Sequence, residues 1–400
     1  MTSEDFMVNE EFIQDPHAVV ARLREGGPVH RVRLQRGLPC WIVTGYDDVR
    51  ALLADPRLAK DNGRMQELAT AKMGEDASRM FGEALTQHML NSDPPDHTRL
   101  RKLVNKAFTG RTVARLRPRI EEITTGLLDA LDGREQPDLV RGFARPLPIT
   151  VICELLGIAT ERQADFCRWS DTLLSTAETE DVIAAAEQMH AYLVELIARK
   201  RAEPAEDLLS DLVHATDEGD RLTEFELVSM TFLLLVAGYE TTVNLIANGV
   251  LALLRAPDQL ALVRSDPALL PDAIEEFLRY DGPISLASLR FTKGPVEVGG
   301  VTIPEGEFML LSLLGANRDA ERFEDPARLD VTRPAGGHVA FGHGIHYCVG
   351  APLARLEAEI AIGRLLERFP GLRLAAEPET LRWRESNLVH GLESLPVALS

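Results

Sequence analysis

The spacing of apolar and polar positions predicts a short extended entry followed by a long succession of helices. Residues 17–24 have helical spacing, and residues 29–34 and 41–43 alternate or run apolar on either side of Gly37-Leu38-Pro39, which predicts a small antiparallel hairpin. A helix over 46–54 stops at Asp55-Pro56. Over 57–91 the periodicity fades and Gly63, Gly74 and Gly82 collect among charged residues, the pattern of a long irregular loop. Helical spacing returns after Asp93-Pro94-Pro95 and continues over 113–131, 148–156, 161–174, 181–202 and 207–213. The longest pattern begins at the capping pair Thr223 and Glu226 and reaches Arg255, a helix of about 50 Å at ~1.5 Å per residue. Residues 230–238 of it are apolar all round, whereas Glu240, Asn244 and Asn248 interrupt the run, so it reads as an internal helix and not a membrane span. Helices over 272–280 and 351–366 follow, with extended segments between and after them: 284–292, 296–298, 301–303, 372–374, 381–384 and 395–399. Gly299-Gly300 is a two-residue hairpin signal.

Composition adds bounds. The 400 residues are 45% hydrophobic, enough for a large core, and no Ser/Gly-rich spacer, repeat or low-complexity run divides them, so a single domain over 1–400 is expected. A formal net charge of -19 argues against nucleic acid as a partner, because phosphate binding needs clustered positive charge. The first residues have neither the basic flank nor the apolar run of a leader or membrane anchor. Cys40, Cys153, Cys167 and Cys348 are scattered, which gives no disulfide framework and fits a reducing cytoplasm.

The chemistry concentrates in Phe341-Gly-His-Gly-Ile-His-Tyr-Cys348-Val-Gly350, a glycine-laced loop that delivers a cysteine to the start of a helix. Unpaired amides and the helix dipole there favour a thiolate, poising Cys348 as ligand or nucleophile. Gly342, Gly344 and Gly350 permit tight turns and close approach of a flat ligand. A dinucleotide fingerprint fails, since Tyr347 occupies its third glycine position. A zinc site from His338, His343, His346 and Cys348 is open on donor type, as is a bland buried cysteine after a turn. A second signal lies mid-way along the longest helix, in Ala237-Gly-Tyr-Glu240-Thr241-Thr242. There glycine costs ~1 kcal/mol relative to alanine and a buried acid requires a partner. The Thr241 hydroxyl can bond back to the Ala237 carbonyl in a simple kink. Glu276 and Arg279, three apart, share one helix face, as His97 and Arg101 do four apart.

The pattern Phe341-Gly342-x-Gly344-x-His346-x-Cys348-x-Gly350 resembles the haem-binding loop of cytochromes P450 at each motif position. The Ala237–Thr242 hexapeptide is similar to that family's oxygen-activation motif, and Glu276-x-x-Arg279 to its E-x-x-R helix. Asp93-Pro-Pro-x-His97-Thr-Arg-Leu-Arg101 also matches, so the resemblance spans about residues 10–400. In pattern it lies nearest to actinobacterial macrolide and polyketide hydroxylases.

The resemblance implies a mainly α fold, the triangular helical prism with small β-sheets, and haem b (iron protoporphyrin IX) with Cys348 as metal ligand. It implies cofactor contacts from His97, Arg101 and Arg290 to the propionates, and from Ala237, Phe341, Gly342, His346 and Gly350. Glu240 and Thr241 become the catalytic pair that supplies protons, while Glu276, Arg279 and Arg328 brace the loop. The expected pocket is apolar: Leu233, Val236, Ala237, Leu286, Ala287, Leu289, Leu388, Val389 and His390. The implied activity is insertion of one oxygen atom from O2 into a C–H bond, by hydroxylation or epoxidation, of a bulky lipophilic metabolite such as a macrolide. With no flavin or iron–sulfur motif in the chain, electrons are expected from a ferredoxin and its reductase, docked on Lys102, Lys106, Arg111 and Arg355. A monomer is expected. The alternative is a haem-thiolate protein that senses gas or redox state without oxygenating a substrate.

Overall fold

The computed structural model describes residues 8–34, 37–74, 85–174, 179–216, 219–334, 336–386 and 388–400. Gly82 and part of the expected 57–91 loop lie outside them. The chain forms two compact units, each assembled from separate stretches: residues 1–58, 118–147 and 240–400 in one, 59–117 and 148–239 in the other. Helix Glu224–Arg255 runs unbroken from the second unit into the first.

The first unit is organised on a sheet. Among the described residues the strands are β1 (Val29–Arg33), β2 (Pro39–Val43), β3 (Leu58–Ala59), β4 (Arg290–Thr292), β5 (Val296–Val298), β6 (Val301–Ile303), β7 (Phe308–Leu311), β8 (Arg373–Leu374) and β9 (Val397–Ala398). The main sheet has the order β1-β2-β7-β4-β3. The expected hairpin is β1 with β2, in a register pairing Val29 with Val43 and Arg31 with Trp41. The Gly299-Gly300 hairpin joins β5 to β6, both glycines having positive φ (55° and 75°) that a turn of this kind requires. Val29, Val43, Leu311, Ile303 and Phe323 pack into one cluster under the sheet, each such side chain contributing roughly 1.5–3 kcal/mol by leaving water.

Several segments depart from the pattern reading. Residues 57–91 are not irregular throughout: Asn62–Met73 is a helix, capped by the Asp61 carboxylate accepting from the Arg64 N–H at 2.7 Å. Its apolar positions are too few for a visible stripe, with only Met65 and Ala69 buried. The extended C-terminal segments are mostly turns and single bridges, such as Trp383 with Leu392. Strand β7, between β2 and β4 in the main sheet, was not expected, whereas the expected helices include Asp96–Ala107, Thr179–Ala202, Leu270–Asp281 and Ala351–Arg368. The capping box is formed as read: the Glu226 N–H donates to Thr223 Oγ1 at 3.2 Å and the Thr223 N–H to Glu226 Oε2 at 2.8 Å.

Candidate active site

In the first unit the cysteine loop is set by two glycines. Gly342 and Gly344 have φ of 74° and 73°, and a Cβ on Gly344 would lie 3.0 Å from Ala54 Cα. Gly350 is different. Its φ is -80°, so the backbone does not demand glycine, and a Cβ there would sit 3.8 Å from Cys348 Sγ. Gly350 caps helix Ala351–Arg368, which places the half-exposed Cys348 two residues before the cap. The Cys348 N–H donates to the Phe341 carbonyl at 2.9 Å and closes the loop. No disulfide engages the thiol. His338, His343, His346 and Cys348 do not gather their donor atoms into a metal-binding cluster; instead His338 Nε2 lies 3.1 Å from Glu275 Oε2.

The loop is braced from below. Arg279 and Glu276 are fully buried and form a bidentate pair, Nε to Oε2 at 2.7 Å and Nη2 to Oε1 at 2.8 Å. The guanidinium also donates to the carbonyls of Asn317 (3.0 Å), Pro326 (2.9 Å) and Arg328 (3.2 Å). Asn317 Oδ1 in turn accepts from the Val339 N–H at 2.8 Å, and the Val339 carbonyl from the Gly342 N–H at 2.8 Å. The expected third member needs correction: Arg328 is exposed and offers only its carbonyl, whereas Arg333 Nε reaches Glu276 Oε1 at 3.4 Å. The backbone decides this, since the Arg328 carbonyl faces Arg279 and its side chain is left in solvent.

A second brace was not visible in the sequence. Glu275 accepts from Arg355 Nε at 2.5 Å and Nη2 at 2.8 Å. Although burial raises its pKa, the hydrogen bonds and charges of Arg355 and His338 hold that carboxyl at about 2. The Arg355 guanidinium lies 4.5 Å from the Phe341 ring centroid. Arg355 therefore locks loop to helix and is not a free cation for a docking partner. Arg290, on β4, is buried with Nη1 donating to the Ser288 carbonyl at 2.8 Å.

Glu240 is buried, and its partner is Arg384, Nη1 to Oε2 at 2.5 Å. Glu240, Asn244 and Asn248, the polar breaks in the helix, all meet the C-terminal turn. Asn248 Nδ2 donates to the His390 carbonyl at 3.0 Å, and a Cβ on Gly391 would strike Asn244 Oδ1 at 1.9 Å. Thr241 is half-buried beside Glu240. The same turn pairs with the segment before β4: the Ser285 N–H donates to the Leu388 carbonyl at 3.0 Å, and Val389 bridges Ile284. Leu286 and Ala287 are buried, Ala287 within the sheet cluster, while Leu289 is half-buried and Leu388 exposed.

His390 is buried. Its ring stacks on Trp383 at 3.8 Å and its Nε2 lies 3.1 Å from Asp281 Oδ1, which His17 Nε2 approaches at 2.8 Å. Burial, then the Arg318 charge, lowers the His17 pKa to about 4 against the pull of Asp281.

In the second unit, His97 and Arg101 share a face of Asp96–Ala107, and His97 is buried. Burial and the charges of Arg101 and Lys60 hold His97 below the usual imidazole range, so it is neutral and can donate a hydrogen bond. Leu233, Val236 and Ala237 fall on one helix face, the first two buried and Ala237 exposed. Of the remaining dock candidates, Lys102 and Arg111 are exposed and Lys106 Nζ donates to the Thr216 carbonyl at 2.8 Å.

Comparison with known proteins agrees with the geometry. The sequence model of the family described as Cytochrome P450 matches residues 149–383. The chain is 57% identical to Cytochrome P450 107B1 of Saccharopolyspora erythraea, covering 97% of this chain and 96% of that one. It is 49% identical to Vitamin D(3) 25-hydroxylase of Pseudonocardia autotrophica (100% and 97%) and 44% identical to 6-deoxyerythronolide B hydroxylase of Saccharopolyspora erythraea (100% of each). The solved structure of the tirandamycin C-bound P450 monooxygenase TamI superposes with a TM-score of 0.93 at 52% identity, covering 99% of this chain and 100% of that one. The sensing alternative gains no support from these relatives. The chain belongs to the cytochrome P450 family and is a monooxygenase of that family.

Proposed function

We propose that this monooxygenase holds haem b through the Cys348 thiolate and hydroxylates a bulky lipophilic metabolite, a macrolide or other polyketide. The observation that carries the reading is the presentation of Cys348: half-exposed, outside any disulfide, ahead of a helix N-terminus, on a loop pinned by Gly342, Gly344 and the Arg279 network. The donor set fits the group, because a thiolate at a helix N-terminus is a stable anionic iron ligand. Gly350 adds no side chain beside the sulfur. Bound there, a thiolate-ligated haem supplies oxygen activation, with sulfur donation favouring O–O cleavage.

The chain's own groups do the rest. His97, Arg101 and Arg290 hold the propionates, neutral His97 as donor and the two arginines as cations. Phe341, Gly342, His346 and Gly350 would contact the group beside the thiolate, and Ala237 would contact it with little bulk of its own. Thr241 and Glu240 move protons to the reacting oxygen. Leu233, Val236, Leu286, Leu289, Leu388 and Val389 supply apolar contact to the substrate. A ferredoxin and its reductase supply electrons, with Lys102 and Arg111 the exposed cations of the dock for an acidic partner. The chain acts as one functional domain, since helix Glu224–Arg255 carries both pocket face and acid–alcohol pair, and as a cytoplasmic monomer.

One relative favours a second substrate class: the vitamin D(3) hydroxylase is more similar than the erythronolide hydroxylase, so a rigid secosteroid stands as the competing substrate. The test is spectroscopic and then chemical. A reduced carbonyl adduct with the red-shifted Soret band of a thiolate is expected, abolished in Cys348→Ala. Macrolactones should give a high-spin shift and a hydroxylated product with reductant. An adduct band typical of imidazole ligation would refute the ligation, and turnover of secosteroids but not macrolactones would refute the substrate class.

A further inference from the structure

We propose that His17, Asp281 and His390 form a binding site for a divalent transition-metal ion of the zinc class, which straps the N-terminal helix to the C-terminal turn. The three residues come from distant parts of the first unit. His17 stands on helix Pro16–Glu25, Asp281 is the last residue of helix Leu270–Asp281, and His390 lies in the turn between Trp383 and Leu392. Their donor atoms all lie within 4.8 Å of one another. His17 Nε2 is 2.8 Å from Asp281 Oδ1, and His390 Nε2 is 3.1 Å from the same oxygen. Zinc held tetrahedrally at ~2.0–2.1 Å keeps its ligand atoms about 3.3 Å apart, so small shifts of the two rings off the shared oxygen admit the ion. Two imidazoles and one carboxylate are donors such an ion prefers, and they leave a fourth position for water.

The backbone around the group is already fixed. Asn248 Nδ2 donates to the Asp281 carbonyl at 3.1 Å and to the His390 carbonyl at 3.0 Å, so one side chain of the longest helix holds two of the three ligand residues. The His390 N–H donates to the Pro283 carbonyl at 2.9 Å, and its ring lies flat on Trp383. The Gln14 amide donates to the Trp383 carbonyl at 2.9 Å and accepts from the Trp383 N–H at 3.1 Å, which seats the start of the chain against that turn. The Asp15 carboxylate caps the helix that carries His17, accepting from the Ala18 N–H at 3.0 Å. The side chains of His390 and Asp281 are 3% and 14% exposed against 21% for His17, so an ion enters from the His17 side. Each neutral imidazole offers its Nε2 lone pair once the ring proton sits on Nδ1, and Asp281 supplies the negative charge. Arg318 works against the ion. Its charge reaches Asp281, although its Nε donates to the Tyr280 carbonyl at 2.7 Å and its guanidinium lies 4.1 Å from the Tyr280 ring centroid. One carboxylate with an arginine nearby makes this a site of micromolar class. Without the ion the same contacts are a hydrogen-bonded trio, and the two readings differ in what zinc does.

The experiment takes the haem-loaded protein, strips it with a chelator, and measures zinc uptake by equilibrium dialysis with elemental analysis. The parent should bind one zinc per chain at micromolar free zinc, and its unfolding midpoint should rise as zinc is added. His17→Gln and Asp281→Asn should each weaken binding at least about tenfold and abolish that rise, whereas His190→Ala, on helix Thr179–Ala202, should change neither. The variants should keep the carbonyl band of the parent, which separates a lost ligand from a lost fold. His17→Gln alters a partly exposed side chain and decides the question alone where Asp281→Asn fails to fold. X-ray absorption at the zinc edge should show imidazole and oxygen ligands at ~2.0–2.1 Å. No uptake at micromolar zinc, uptake by His17→Gln equal to that of the parent, or sulfur in the zinc shell would each overturn the site.

Discussion

Arg333 and Arg328 make opposite predictions for the brace beneath the cysteine loop. Truncating Arg333 to alanine removes a charge-assisted contact to fully buried Glu276 (3.4 Å) and two bonds to the Glu324 and Asp325 carbonyls (2.6 and 3.4 Å). Glu276 keeps its bidentate partner Arg279 and the Asp330 N–H at 2.9 Å, so it is not stranded. A hydrogen bond to a charged group contributes roughly 1.5–3 kcal/mol, and the exposed carbonyl bonds little more. Arg333→Ala should therefore cost about 2 kcal/mol, against less than ~0.5 kcal/mol for Arg328→Ala, whose side chain is in solvent. Arg279→Ala, which strands a buried carboxylate, should cost about 3–5 kcal/mol. Urea unfolding followed in parallel by far-ultraviolet dichroism and haem absorbance measures all three. An Arg328→Ala loss equal to or greater than that of Arg333→Ala would refute the assignment of Arg333 to the brace.

Two further outcomes follow from the geometry. The folded-state pKa of His17 is depressed to about 4, so the unfolded chain binds the extra proton between that value and 6.5. Stability should then fall on the order of 3 kcal/mol as pH drops from 6.5 to 4, and His17→Gln should flatten that slope; an unchanged slope would exclude His17 as its source. Gly344→Ala combines a φ of 73° with a 3.0 Å approach to Ala54 Cα. It should cost at least ~1–2 kcal/mol and lower the haem content of purified protein; a fully loaded, equally stable variant would contradict the loop geometry.

The sequence made legible what depends on spacing along one element, and the fold supplied what depends on meetings between distant ones. The capping box at Thr223, the Gly299-Gly300 hairpin and the Glu276–Arg279 pair are local, three or four residues in extent, and form as read. Arg328 failed because a meander has no period: which arginine faces Glu276 depends on backbone turns such as Asp325, with φ of 43°, that no pattern announces. The contact between His390 and Asp281 was hidden for a related reason, since the two lie 109 residues apart. Glu240 is the instructive intermediate. A carboxylate in an apolar helix interior must be compensated, and that much follows from solvation alone. Which cation compensates it could not be deduced, because Arg384 lies 144 residues on, in a segment with little regular structure. Asn244 and Asn248 carried the missing hint. At four-residue spacing from Glu240 they define one polar helix face, and such a face inside an apolar core requires a polar segment packed along it. The C-terminal turn is that segment, and its one arginine opposite the acid ties the last stretch of the chain to the middle of its longest helix.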